Sequence, residues 1–529
     1  MDYKDLWRKE SANKNALYCD LLENVEKNYP EVKKFNIVGL SKVVFEEKNN
    51  ETADRHRQEG NTHCYNMNYE LAIKYYNESL CLAETGTKCL GMAYGNRSSC
   101  FLRMKKYGNC IVDVDLALNE PICPRLVKRA LENRKIECLK IMSTEEPTKL
   151  HEVQLSYKPH DNFPFIANVL EIQKNAEFGR HVIAKCNIPA GKMIMIEDDF
   201  IPYTKATNYI SKKHFPMKCN TCNRNATNPI PCSSCTVVMF CNMQCKNENE
   251  IHKIDCGAIY YRYDNTNSKY IIQSVLHAIN LFPTIFALRK FVEDAVKADK
   301  MEIPASVLDE ESKYRMFLKL WRPPMMKDFI PSTYNYFHTI MCISVIRMKF
   351  NTEVKRRFLM HLVGHHAVIM LFNSWQGQLS LFTSLLSHSC APNIQEVYFD
   401  SRTALITIRP IKRGDQIYSA YKTETSMAAQ RLNRKEEIER KFGFRCKCLK
   451  CEGKMVEMRS IEEDPIYKRI SETHLLGCNR VMLEDYISTC IGLLNKYKRL
   501  PLWSRQLDNV STRVGFCLAL LYYTMTEVK

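Results

Sequence analysis

A chain of 529 residues is too long for one ordinary domain and predicts two to four of them. It is 45% hydrophobic and 26% charged, as soluble globular proteins are, and no apolar run nears the roughly 18 residues of a membrane span. Its net charge of +17, from 76 Lys and Arg against 59 Asp and Glu, is spread along the chain, so a solvated basic surface is expected and not a nucleic-acid reader.

The start, MDYKDLWRKE, is polar and charged, so no secretory signal is expected. In the reducing surroundings that follow, clusters among the 24 cysteines read as metal sites and not disulfides. Scattered ones such as Cys19, Cys342 and Cys517 read as small buried apolar residues.

Residues 1–50 are expected to form an N-terminal helical segment. From 51 to 145 the pattern is helical and repeats itself: RQEGNTHCYNMNYELAIKYYNESLCLA is followed by GNRSSCFLRMKKYGNCIVDVDLAL. Tyr69 matches Tyr107, Ile73 matches Ile111, Tyr76 matches Val114 and Ser79 matches Ala117, all at one offset. Each unit offers a tight small-residue contact in one helix and an apolar stripe in the next, so neighbouring pairs can stack. A third helix, from about Arg125 to Met142, would cap them. These units resemble tetratricopeptide repeats.

A charged, proline-bearing linker, STEEPTKLHEVQLSYKPHDNFP, leads into short alternating strands at VLEIQKNAEFGRHVIAKCNIPAGKMIMIE, within 153–213. A cysteine-rich segment at 219–256 comes next. Residues 257–372 are helical in pattern, strand character returns at TALITIRPIKRGDQIYSAY within 373–442, a three-cysteine segment fills 443–456, and 457–529 are helical again. The expected fold is α+β: a β-rich domain split by a zinc finger and a helical insert, flanked by N-terminal helical repeats and a short helical C-terminal region.

Between 219 and 256 the candidate ligands are Cys219 and Cys222, Cys232 and Cys235, Cys241 and Cys245, then His252 and Cys256. Paired cysteines two residues apart suit a tight turn aiming both thiolates at one ion, and His252 and Cys256 lie one helical turn apart. Eight such ligands make two closed tetrahedral zinc sites, each contributing about 10 kcal/mol or more to local folding. The pattern resembles a MYND finger. That resemblance assigns the first ion to Cys219, Cys222, Cys241 and Cys245, and the second to Cys232, Cys235, His252 and Cys256. It also implies a surface for proline-rich peptides.

Further along, EFGRHVIA, SLLSHSCAPN, RGDQIYSAY and FGFRCKCLKC occur in order around the finger. Together they resemble a SET methyltransferase domain split by MYND, the arrangement of the SMYD family, and the repeats point to its tetratricopeptide-bearing branch. The resemblance covers most of 51–456. It implies an S-adenosyl-L-methionine-dependent protein-lysine methyltransferase of the cytoplasm and nucleus, acting on a protein with a target lysine, histone or otherwise. Gly179, Arg180 and His181 then belong to the cofactor turn, while Asn373, Ser384, Leu386, Ser387 and His388 contact the cofactor. Tyr421 is the catalytic tyrosine beside the transferring methyl, and Phe442 and Phe444 line the cofactor or lysine channel. Cys446, Cys448 and Cys451 supply three thiolates where a closed zinc site wants four. By resemblance the fourth is Cys390, giving a third zinc.

Ser387 stands where the family usually has Asn, His181 stands where many members have Gly, and the stretch from Asn373 to Ser387 is short. These departures keep a second reading open, a weak or inactive SET–MYND adaptor acting in transcriptional repression or chaperone-linked recruitment. On the repeats, Arg57, Asn61, Asn96, Arg125 and Arg129 match the places at which tetratricopeptide domains clamp the C-terminal carboxylates of heat-shock chaperones. Guanidinium and amide groups converging there would make charge-assisted bonds.

Overall fold

The computed structural model describes Lys27 and residues 47–122, 125–143, 153–201, 219–258, 260, 266–298, 302–322, 329–374, 378–399, 401–421, 431–475, 477–499 and 504–527. The helical segment expected at 1–50 therefore lies almost wholly outside the described residues, as does Cys19. No single described helix is long and apolar enough to cross a membrane.

The N-terminal part is five helices: α1 (Asn50–Tyr65), α2 (Tyr69–Leu82), α3 (Lys88–Arg103), α4 (Tyr107–Leu118) and α5 (Arg125–Met142). They pack in sequence, α1 on α2, α3 on α4 and α5 on α4. Asn49 caps α1 by accepting from the Thr52 amide. Gly60 is the small contact that lets α2 approach, since a Cβ there would lie 2.5 Å from the Tyr76 ring. The repeat positions Ile73, Tyr76 and Ser79, with Val114 and Ala117, are buried as the matched pattern requires.

At the centre of these helices Arg97 is wholly buried. Its Nε and Nη2 each donate to Asp113 at 2.7 Å, and its Nη1 donates to Asn77 Oδ1 at 2.6 Å and to the carbonyl of Pro229 at 3.1 Å. Asn228 Nδ2 donates to Asp113 at 2.7 Å and to the Asn109 carbonyl at 2.9 Å. Asn228 and Pro229 belong to the cysteine-rich finger, so a buried ion pair docks the finger on the helices.

The β domain contains β1 (Pro159–His160), β2 (Phe163–Ala167), β3 (Leu170–Asn175), β4 (Gly179–Ala184) and β5 (Met193–Asp198). The finger adds β6 (Ile230–Pro231), β7 (Met239–Phe240), α6 (Met243–Glu248) and α7 (Glu250–Asp255). The insert is helical: α8 (Thr266–Leu281), α9 (Ile285–Lys297), α10 (Glu310–Leu318), α11 (Phe329–Met341), α12 (Ser344–Lys349) and α13 (Glu353–Asn373). Then come β8 (Ser387–His388), β9 (Ile394–Phe399), β10 (Arg402–Thr407) and β11 (Tyr418–Ser419). The main sheet runs β1-β2-β5-β10-β9. Its central pairing, Arg402 opposite Asp198 through Ile406 opposite Met193, joins strands from either side of the finger and insert.

The chain closes with α14 (Arg431–Phe442), α15 (Leu449–Glu452), α16 (Arg459–Glu462), α17 (Pro465–Glu472), α18 (Arg480–Lys496) and α19 (Arg505–Glu527). Met195 and Leu405 share a core with the insert helices, whereas Val397, Phe399, Ala404 and Ile406 share one with α18 and α19. Both faces of the sheet are thereby covered. Cys517 is buried as expected, but Cys342 is exposed, because it follows the end of α11 where the chain turns outward.

Replacing Arg97 with Ala leaves Asp113 as an unpaired buried carboxylate. The expected cost is about 3–5 kcal/mol, to be read as a lowered urea midpoint monitored by tryptophan fluorescence.

Candidate active site and its cysteine clusters

Among the described residues, three groups of cysteines and one histidine bring their ligand atoms within 4.8 Å of one another. They are Cys219, Cys222, Cys241 and Cys245; Cys232, Cys235, His252 and Cys256; and Cys390, Cys446, Cys448 and Cys451. A tetrahedral zinc with Zn–S bonds of about 2.3 Å sets sulfur–sulfur edges near 3.8 Å. Here Cys222 and Cys241 are 3.7 Å apart, Cys232 and Cys256 3.7 Å, Cys390 and Cys446 4.0 Å and Cys390 and Cys451 3.4 Å. The donor sets and their spacing fit zinc. His252 Nδ1 lies 3.0 Å from the Asp255 carboxylate, which fixes the tautomer and turns Nε2 toward Cys232 and Cys235 at 3.3 and 3.6 Å. Asp255 is held in turn by the Tyr260 hydroxyl.

The third cluster is tied to a cavity. Parallel pairing of β8 with β11 sets His388 opposite Ser419. His388 Nδ1 accepts the Tyr421 amide at 2.9 Å, so Nε2 carries the proton and faces Cys390 Sγ at 3.2 Å. Tyr421 donates its hydroxyl to the Leu386 carbonyl at 2.8 Å. Burial, with the charge of Glu396 adding, pushes the Tyr421 phenol up to about 12, so it stays protonated. Phe442 packs 4.9 Å from the Tyr421 ring, and Phe444 meets it edge-on at 6.2 Å.

These aromatics bound a cavity of about 230 Å³. Asn373, Ser384, Tyr421, Phe442 and Phe444 all line it. The remaining sequence-derived candidates stand outside its walls. Gly179 opens β4 at φ 66°, and Arg180 donates to the Lys319 carbonyl. His181 is buried with Nδ1 3.1 Å from the Gly179 carbonyl. Leu386 presents its carbonyl to Tyr421, and Ser387 Oγ accepts from Gln416 at 2.6 Å. Asn373, though in the wall, donates to the carbonyls of Trp321 and Ile369 at 2.7 and 2.9 Å.

Sequence reasoning missed Trp321, Glu396, Tyr398, Ser419 and Lys441, which are among the other residues of the wall. Trp321 lies in an irregular stretch between helices and carries no local signal. Glu396 did carry one, a carboxylate inside the strand IQEVYF. Beneath the wall, Glu197 of β5 accepts from the Ser380 hydroxyl and the Phe382 amide, which ties the loop before β8 to the sheet. On the repeats, Arg57 donates to Asp54, and Asn61 Oδ1 accepts from Tyr76 at 3.0 Å and Asn96 at 2.6 Å. Arg125 and Arg129 stand exposed on α5.

Comparison with known proteins agrees with this layout. The SET domain family model matches residues 179–422, which hold β4, the finger, the insert and Tyr421. A zebrafish (Danio rerio) protein called Protein-lysine N-methyltransferase SMYD4 is 23% identical over 232 residues, covering 41% of this chain and 31% of the relative. The Schizosaccharomyces pombe SET domain and MYND-type zinc finger protein 6 is 21% identical, covering 55% of this chain and 52% of its own. Mouse (Mus musculus) N-lysine methyltransferase SMYD2 is 19% identical, covering 51% and 59%. The matched region thus spans a third to just over half of these relatives. The sheet and the matched segment mark a SET domain at residues 179–422. Over that region the chain is similar to SET and MYND domain-containing proteins.

Two outcomes follow. Asp255→Asn removes the anion that orients His252, and zinc affinity at the second cluster should fall about 10–100-fold in a chelator competition. Burial pushes Glu197 up to about 7 from an ordinary 4.5, against the pull of its hydrogen bonds. The unfolded chain then releases this proton first, so stability is full below about 4.5 and declines as pH rises toward 7. Glu197→Gln should flatten that decline in urea unfolding measured between those limits.

Proposed function

We propose that this chain is an S-adenosyl-L-methionine-dependent protein-lysine N-methyltransferase of the tetratricopeptide-bearing SMYD branch, acting on a histone or non-histone protein in the cytoplasm and nucleus. The observation that carries the reading is the cavity in which Tyr421, Phe442 and Phe444 meet Asn373 and Ser384. S-adenosyl-L-methionine supplies an electrophilic methyl group when bound. Asn373 Oδ1 and Ser384 Oγ, whose own donors go to backbone carbonyls, offer acceptor atoms to hold it, with Leu386, Ser387, His388 and the Gly179–His181 turn as further contacts by family resemblance. Phe442 and Phe444 would exclude water from the acceptor amine. Tyr421, fixed by Leu386, would hold a hydroxyl beside the reacting atoms, and positioning of this kind is worth several powers of ten in rate.

Three zinc ions would close the three clusters, the third pinning the tail segment beside Tyr421. The exposed Arg125 and Arg129 favour capture of chaperone C-terminal carboxylates on the repeats, and the finger surface is proposed for proline-rich peptides. The adaptor reading retains support from one observation: the Ser387 hydroxyl is taken by Gln416 and the Asn373 amide by backbone carbonyls.

The deciding experiment is calorimetric titration of the zinc-replete protein with S-adenosyl-L-methionine, then methylation of candidate proteins by wild type and Tyr421→Phe. Micromolar binding and a rate at least about a hundredfold lower in the variant are expected. No detectable cofactor binding would favour the adaptor.

A further inference from the structure

The cavity wall carries one acid, Glu396, and one base, Lys441. Glu396 lies on β9, in the sheet edge beside β11, and its carboxylate lines the same cavity as Tyr421. One oxygen accepts from the Ser419 hydroxyl and the other from the Tyr398 hydroxyl. Both donors are themselves wall residues, so the carboxylate is held in one orientation by the cavity it lines. Burial and the nearby Glu396 push the Tyr398 phenol up, which keeps it protonated and donating.

Around this anion stand the rings of Trp321, Tyr421, Phe442 and Phe444. Trp321 and Phe442 are 6.1 Å apart between centroids, so the rings form a continuous wall. Ring faces carry partial negative charge and attract cations, most strongly where water is excluded. The molecule already uses one face in this way, since the Lys441 ammonium lies 5.4 Å from the Phe442 centroid. A fixed carboxylate together with aromatic faces selects a compact alkylammonium head over a neutral group of the same size.

We infer that Glu396 is the residue that receives the cationic head of the acceptor side chain, making this cavity a site for primary or methylated alkylammonium groups. The inference deepens the methyltransferase reading and rests on it for the identity of the acceptor, while amine binding itself is measurable without cofactor. Glu396 acts here as a positioning and specificity residue. In a chain with net charge +17 it offers lysine-bearing substrates a local attraction, set against the Lys441 ammonium that shares the wall.

The test uses the full-length, zinc-replete protein with n-butylammonium chloride and its neutral isostere 1-butanol, titrated by saturation-transfer NMR. Wild type is expected to prefer the cation by about tenfold. Glu396→Gln should abolish that preference and leave butanol uptake unchanged. A wild-type protein that takes both probes equally, or a Glu396→Gln protein that keeps the preference, overturns the inference. Should Glu396→Gln lose its fold, judged by near-ultraviolet circular dichroism, the wild-type preference alone decides. Cofactor titration of the same samples separates the two ideas, because loss of S-adenosyl-L-methionine binding in wild type removes the methyltransferase reading and leaves the amine comparison intact.

Discussion

The imidazole of His388 carries the organisation of the candidate site. One nitrogen accepts the amide of Tyr421 and the other faces the sulfur of Cys390, so a single ring links backbone placement to the cysteine cluster. That cluster gathers thiols from two distant segments, one after β8 and one after α14. Asp508 of α19 adds a second brace, since it pairs with both buried Arg409 and Lys450 between the cluster cysteines. The aromatic wall formed by Phe442 and Phe444 therefore stands where it does because the chain is held just beyond it.

How much of this could be read from the chain depended on whether the signal was local. Ligand spacing survives without knowledge of the fold, because thiolates that share an ion must be near in sequence or separated by whole motifs. Repeats survive too, because Tyr69 and Tyr107 open helices with the same neighbours. The cavity does not. Trp321, Glu396, Tyr398 and Lys441 come from an interhelical stretch, a strand and a helix end, and only tertiary packing joins them. The helix from Arg431 to Phe442 was missed within the expected core because its residues are mostly charged and give little apolar periodicity.

The departures noted in the sequence acquire a physical form in the fold. The Ser387 hydroxyl oxygen accepts from the Gln416 amide of the neighbouring segment. His181 does not crowd solvent, being buried and turned toward the carbonyl of Gly179. Net charge was the least informative quantity for the site. Its wall holds both an acid, Glu396, and a base, Lys441, in a strongly basic chain, and burial elsewhere holds Glu197 largely protonated below neutrality.

Arg97 bears on modularity. By pattern the helical repeats and the finger are separate modules, and a linker beginning STEEPTK follows the repeats and invites a fragment boundary. Yet the guanidinium that neutralises Asp113 also needs the Pro229 carbonyl, and Asn228 completes the acid's shell. A cut at the linker would divide one ionic core between two fragments, leaving polar groups to be resolvated on one side and a bare docking face on the other. The smallest self-sufficient piece of this protein is thus set by where its charges are shared, and it is larger than the motif boundaries suggest.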